Sequence, residues 1–109
     1  MQSLIRVGRR SELGSTYIGR PTPLGNPFEL KQESDRDIIC DMYDAWFKKQ
    51  VELGNKALLA ELYKLAELHK AQGYLILGCY CAPKRCHGET IKRFLDSTAT
   101  KQDNLLLDY

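Results

Sequence analysis

The sequence predicts a small single-domain α/β protein: a short sheet with helices packed on it, its motif-bearing loops at strand ends. Three observations lead there. The run "YLILG", flanked by Gly73 and ending on Gly78, is uniformly apolar and too short for a helix, as expected of a strand buried on both faces. Near the start, "SLIRVGR" alternates Leu4, Arg6 and Gly8 with Ser3, Ile5 and Val7, a strand pattern. Between them lie two stretches with apolar residues at helical spacing. Strands near both ends with helices between favour pairing of the first strand with the buried one.

Taken in order, "STYIG" reads as a second short strand or a turn. "GRPTPLGNPF" follows, with three prolines and two glycines in ten residues, so it forms a loop of fixed shape rather than a regular element. The first helix is expected to start at Ser34, its hydroxyl capping the amides of "DRD", and to turn Ile38, Ile39, Met42, Tyr43, Trp46 and Phe47 inward. Trp46 is expected to be largely buried with Met42 and Leu62. Gly54 is expected to end this helix and Asn55 to cap the next, in which Leu58, Leu59, Leu62, Leu65, Ala66 and His69 share a face up to Gly73. A last helix covers "GETIKRFLDS" with Ile91, Phe94 and Leu95 inward, and residues 97–109 read as a tail. Residues 1–109 form one domain, since 109 residues suit one core and are too few for two.

No apolar run approaches the roughly 20 residues that cross a bilayer, and "MQSLIRVGRR" lacks the apolar centre of a secretory signal. The expectation is a cytoplasmic protein without a membrane partner, whose four cysteines stay reduced as thiols or metal ligands. The formal net charge is only +2, yet its distribution is uneven. Residues 6–20 hold Arg6, Arg9, Arg10 and Arg20 against Glu12, and residues 79–93 hold Lys84, Arg85, Lys92 and Arg93 against Glu89. Both segments are basic, as a face for anions would be, and as an ordinary solvated surface would also be.

The stretch "CYCAPKRCHGET" gathers Cys79, Cys81, Cys86 and His87 between a strand end and a helix start. Such a position at the carboxyl end of a strand is where ligands collect in open α/β sheets. Two chemistries compete for it. Cys86 and His87, near the amides of the last helix and beside Lys84 and Arg85, form a candidate nucleophile and acid/base pair without any cofactor. Alternatively Cys79, Cys81, Cys86 and His87 are four ligands for zinc, although the adjacent Cys-His pair departs from the usual separated-pair spacing. A cysteine at a helix start is also often only a small buried hydrophobe. Cys40 and His69 read as packing residues.

"YIGRPTPLGNPF" and "LGCYCAPKRCHGETI" together resemble the two signature blocks of a phage and bacterial family, domain of unknown function 4326. The resemblance rests on Arg6, on Gly19, Arg20 and Pro23 to Phe28, and on Cys79, Cys81, Ala82, Pro83, Cys86 and His87, and with the helices between it spans about Ile5 to Leu95. It implies a shared fold unit and no activity.

Two basic, irregular blocks in one chain suggest one site. Its ligand-binding residues are expected to be Arg6, Arg20, Asn26, Cys81, Lys84 and Arg85, with Cys86 and His87 able to act on the bound group. For Arg20 the competing reading is a surface ion pair, and for Asn26 a turn residue bonded to its own backbone. The expected ligand is an anionic small molecule or nucleotide. The alternative is a non-enzymatic accessory protein that binds a protein or nucleic acid, with the Cys/His block as a zinc site. Tyr17, Phe28 and Tyr80 are the aromatics nearest the basic residues, but the chain contains no Walker loop, dinucleotide fingerprint or G-x-S-x-G elbow. Neither enzymatic activity nor oligomeric state follows from these residues.

Overall fold

The structure, a computed structural model, describes residues 4–80 and 84–108, with residues 99–108 described by backbone alone. Three parallel strands, β1 (Ile5–Arg9), β2 (Ser15–Tyr17) and β3 (Leu75–Cys79), form a sheet in the order β1-β3-β2. The helices are α1 (Arg36–Leu53), α2 (Lys56–Gln72) and α3 (Gly88–Asp108), with a 3-10 turn at Glu33–Asp35 leading into α1. The fold is α/β, as the sequence predicts.

β3 is the central strand and all five of its residues are buried, which accounts for its unbroken apolar character. β1 pairs with it from Ile5 opposite Leu75 to Arg9 opposite Cys79, and β2 pairs on the other side from Ser15 opposite Ile76 to Tyr17 opposite Gly78. Only residues 10–14 connect β1 to β2, so the chain must pass closely over the end of β3. It does so at Gly78: a Cβ there would lie 3.1 Å from Ser15 Oγ and 3.2 Å from the Arg10 Cα. Any larger residue at 78 would push this crossing away.

Tyr43 and Phe47 of α1, Leu58, Leu62 and Leu65 of α2, and Ile91 and Leu95 of α3 close the core over Ile5, Leu75 and Leu77. The face of α1 is rotated from the expected one. Its buried positions are Cys40, Tyr43 and Phe47, while Ile38 and Met42 are exposed and Trp46 is only half-buried, against Tyr43. The six apolar residues named for this helix form a stripe wider than the surface the core covers, and the small Cys40 is buried beside Tyr43 and Phe47 on the same helix.

Helix boundaries follow local chemistry. Ser34 does not cap α1; it lies within the 3-10 turn, and Asp35 occupies the N-cap without a side-chain hydrogen bond. Gly54 and Gly73 end α1 and α2 in left-handed conformation, with φ of 72° and 81°. Asn55 caps α2, its side chain accepting from the Leu58 amide at 3.2 Å. In α3, Ile91 and Leu95 are buried and Phe94 is half-buried, and helical backbone continues beyond the expected end to Asp108. No helix among the described residues is long and apolar enough to cross a membrane.

Candidate functional site

The loop after β2 is held by its own backbone. The Thr22 amide donates to the Gly19 carbonyl and the Gly25 amide to the Thr22 carbonyl, both at 2.9 Å, two tight turns in succession around the cis Arg20–Pro21 bond. Asn26 Oδ1 accepts the Phe28 amide at 2.8 Å, the self-bonded turn that asparagine favours. Gly25 permits the chain to fold back on Arg20: a Cβ at Gly25 would stand 2.7 Å from the Arg20 nitrogen. Two buried apolar residues anchor the loop, Ile18 and Leu24. The Leu24 carbonyl also accepts the buried Tyr43 hydroxyl of α1 at 2.7 Å.

The second block runs from the end of β3 into α3. The His87 carbonyl accepts the amides of Thr90 and Ile91, at 3.1 and 3.4 Å, so α3 begins on this residue. Cys86 Sγ accepts the Gly88 amide at 3.3 Å, which satisfies one of the unpaired donors at the helix start. Lys84 pairs with Glu33 at 2.7 Å, while Arg85 bridges Asp37 at 3.0 Å and Asp41 at 2.7 Å, one turn apart on α1. Arg36 adds a hydrogen bond to the Arg85 carbonyl at 3.1 Å. These contacts clamp the turn onto α1. They also hold the Glu33 carboxyl well below its ordinary range, at about 2, through Arg36 first and Lys84 second.

His87 joins the two blocks. Its Nε2 lies 2.9 Å from the Ile18 carbonyl oxygen, and its ring meets Tyr43 edge-on at 5.0 Å between centroids. A carbonyl only accepts, so Nε2 is the donor in this bond. Burial first, and the charge of Cys86 second, push the Tyr43 phenol far above its ordinary pKa, which keeps it a donor.

Between the blocks lies a cavity of about 250 Å³. Gly19, Arg20, Asn26 and Phe28 of the loop line it together with Cys79, Tyr80, Cys86 and His87, and α1 contributes Arg36, Ile39 and Cys40. Arg20 is exposed and Tyr80 is 70% exposed. At the rim the Arg10 guanidinium lies over Tyr17, 4.5 Å from its ring centre, and over Tyr80 at 5.0 Å, while the Tyr17 hydroxyl donates to the Arg20 carbonyl at 2.7 Å. A second depression, lined by Arg9, Arg10 and Ser11, shares Cys79 and Tyr80 with the first.

The structure therefore brings Arg20, Asn26, Cys86 and His87 to one cavity. Arg6 is elsewhere, exposed and paired with Glu12. Lys84 and Arg85 face acidic residues of α1, and Cys81 lies outside the described residues. Cys79, Cys86 and His87 are all buried, with ligand atoms within 4.8 Å of one another, a group able to hold a metal ion. The adjacent Cys-His pair is thus no obstacle to convergence, because the chain turns between the two residues as α3 begins. Sequence reasoning missed Arg36 and Arg10 at this site and treated Cys40 as packing alone; Cys40 is buried and also lines the cavity. Arg36 carries no signal beyond its place at the start of α1.

A three-stranded parallel sheet with a cavity at the strand ends, bounded by two motif blocks, defines a small α/β domain. The profile of one family, Domain of unknown function (DUF4326), matches residues 5–97, and the chain belongs to that family. No curated protein and no solved structure matches it.

Proposed function

We propose that this domain binds an anionic, nucleotide-like small molecule in the cavity between the two blocks. The observation that carries the reading is the placement of Arg20, an exposed guanidinium, on an otherwise largely apolar cavity whose rim bears Tyr17 and Tyr80. Cavities of this kind use apolar walls for affinity and a few polar groups for orientation. Arg20 is the group suited to phosphate or carboxylate, since a guanidinium forks onto both oxygens of such an anion. Arg36, with a side chain only 17% exposed, lines the same cavity from α1.

The aromatic rim supplies the other half of the recognition. Tyr80, Tyr17 and Phe28 offer flat faces on which a base stacks without sequence-specific readout, a contribution of about 1–3 kcal/mol per base. Arg10, already stacked on both tyrosines, stiffens that face and adds positive charge. Lys84 and Arg85 act indirectly in this reading, by holding the turn against α1.

A thermal-shift series with nucleoside mono- and diphosphates tests it. The melting temperature of the wild type is expected to rise with at least one nucleotide, and the rise to shrink in Arg20→Ala and in Tyr80→Ala. A panel that leaves the wild type unmoved, or that stabilises Arg20→Ala as strongly as the wild type, would overturn the reading.

A further inference from the structure

Cys79, Cys86 and His87 come from two elements, the end of β3 and the start of α3, and the parallel pairing of β1 with β3 has no need of any of their side chains. All three are nevertheless buried, with Sγ, Sγ and an imidazole nitrogen within 4.8 Å of one another. Two thiols and an imidazole are a soft donor set that suits zinc and discriminates against magnesium and calcium. A tetrahedral ion with bonds of about 2.3 Å needs neighbouring ligand atoms roughly 3.8 Å apart, so closure by about 1 Å would complete the set.

The surroundings match what such ligands require. His87 Nε2 is committed to the Ile18 carbonyl at 2.9 Å, the outer hydrogen bond that fixes ring orientation in metal-bound histidines and leaves Nδ1 as the ligating nitrogen. Cys86 Sγ accepts the Gly88 amide at 3.3 Å, an outer hydrogen bond that orients the sulfur. All three residues also line the cavity, so a fourth coordination position that none of the described residues fills would open into it.

We infer that Cys79, Cys86 and His87 form a zinc centre of two thiolates and one imidazole with an open position facing the cavity. Binding releases two thiol protons, and the ion's double positive charge balances the two thiolates. The centre does not depend on the nucleotide reading; a metal site and an empty cavity are compatible, and so is the reverse.

Metal analysis of protein purified without chelator, followed by replacement with Co(II), tests the inference. About one equivalent of zinc is expected, and the Co(II) form should show the near-ultraviolet charge-transfer band of thiolate ligation. That band should weaken in Cys79→Ser and in Cys86→Ser and persist in Cys40→Ser, while His87→Gln should weaken retention of the ion. If the serine variants fail to fold, the wild-type Co(II) spectrum still decides, because a wild type without thiolate charge transfer overturns the site. So does a Cys86→Ser protein that folds and keeps both the metal and the band. Added imidazole should shift the visible Co(II) bands; bands that stay fixed would overturn the open position and indicate four protein ligands.

Discussion

His87 Nε2 lies 2.9 Å from the carbonyl oxygen of Ile18, a buried bond that ties the start of α3 to the loop after β2 across 69 residues of sequence. Removing the ring should loosen both blocks at once. His87→Ala leaves the Ile18 carbonyl without this donor and a void beside Tyr43, so a loss of about 2–3 kcal/mol is expected. Urea unfolding in the presence of a chelator measures it free of any metal contribution.

Tyr43→Phe is a narrower test of how the loop is held. It removes the hydroxyl that donates to the Leu24 carbonyl at 2.7 Å and preserves the ring. The expected cost is about 1–2 kcal/mol, with faster proteolytic cleavage within residues 19–28. The pH dependence has a defined sign. Folding raises the Tyr43 pKa above its ordinary 10.0, so above that pH only the unfolded chain releases the proton. Stability therefore falls as pH rises past 10, and Tyr43→Phe should fall less steeply over the same range.

The Glu33 carboxyl works in the opposite direction. Its folded pKa, about 2 against an ordinary 4.5, means that its contribution is present above pH 4.5 and is lost as the pH falls toward 2. Because the side chain is 54% exposed, the effect should be small and sensitive to salt. In urea midpoints between pH 5 and 3 at low ionic strength, Glu33→Gln should decline less than the wild type.

Gly25→Ala probes the shape of the loop directly. The new Cβ would meet the Arg20 backbone nitrogen at 2.7 Å, too close for either chain segment to keep its place. A destabilisation of about 1–3 kcal/mol is expected, together with weaker ligand binding, while the far-ultraviolet circular dichroism stays that of the wild type.

Much of the framework was legible in the residues. The apolar run at Leu75–Cys79, the alternation at Ile5–Arg9, and the punctuation by Gly54, Asn55 and Gly73 are local signals, and each marks the element it was read as. The rotation of α1 was not legible, because Ile38 and Met42 have the same apolar character as Ile39 and only the width of the core decides which are covered. At the site, the convergence of the two blocks could be expected from their shared basic, irregular character. The assignment of individual cations could not. Arg6, Lys84 and Arg85 are as basic as Arg20, and what separates them is which acidic side chain stands nearby in space: Glu12, Glu33, and the pair Asp37 and Asp41. Cys86 and Cys40 are likewise similar in burial, at 3% and 5%, so exposure does not single out a reactive thiol.

The central claim, that both blocks build one anion-binding site, is tested most directly by a nitrogen-15 NMR titration of the wild type with the nucleotide that stabilises it most. One saturation curve should describe the shifts of the amides of Gly19, Arg20, Asn26 and Phe28 and those of Tyr80, Cys86 and His87. In Arg20→Ala both sets should move to concentrations roughly 10–100-fold higher, as expected for loss of a charged hydrogen bond, while Arg6→Ala, at a cation away from the cavity, should follow the wild-type curve. Shifts confined to one block, or an Arg20→Ala curve that coincides with the wild type, would contradict the account.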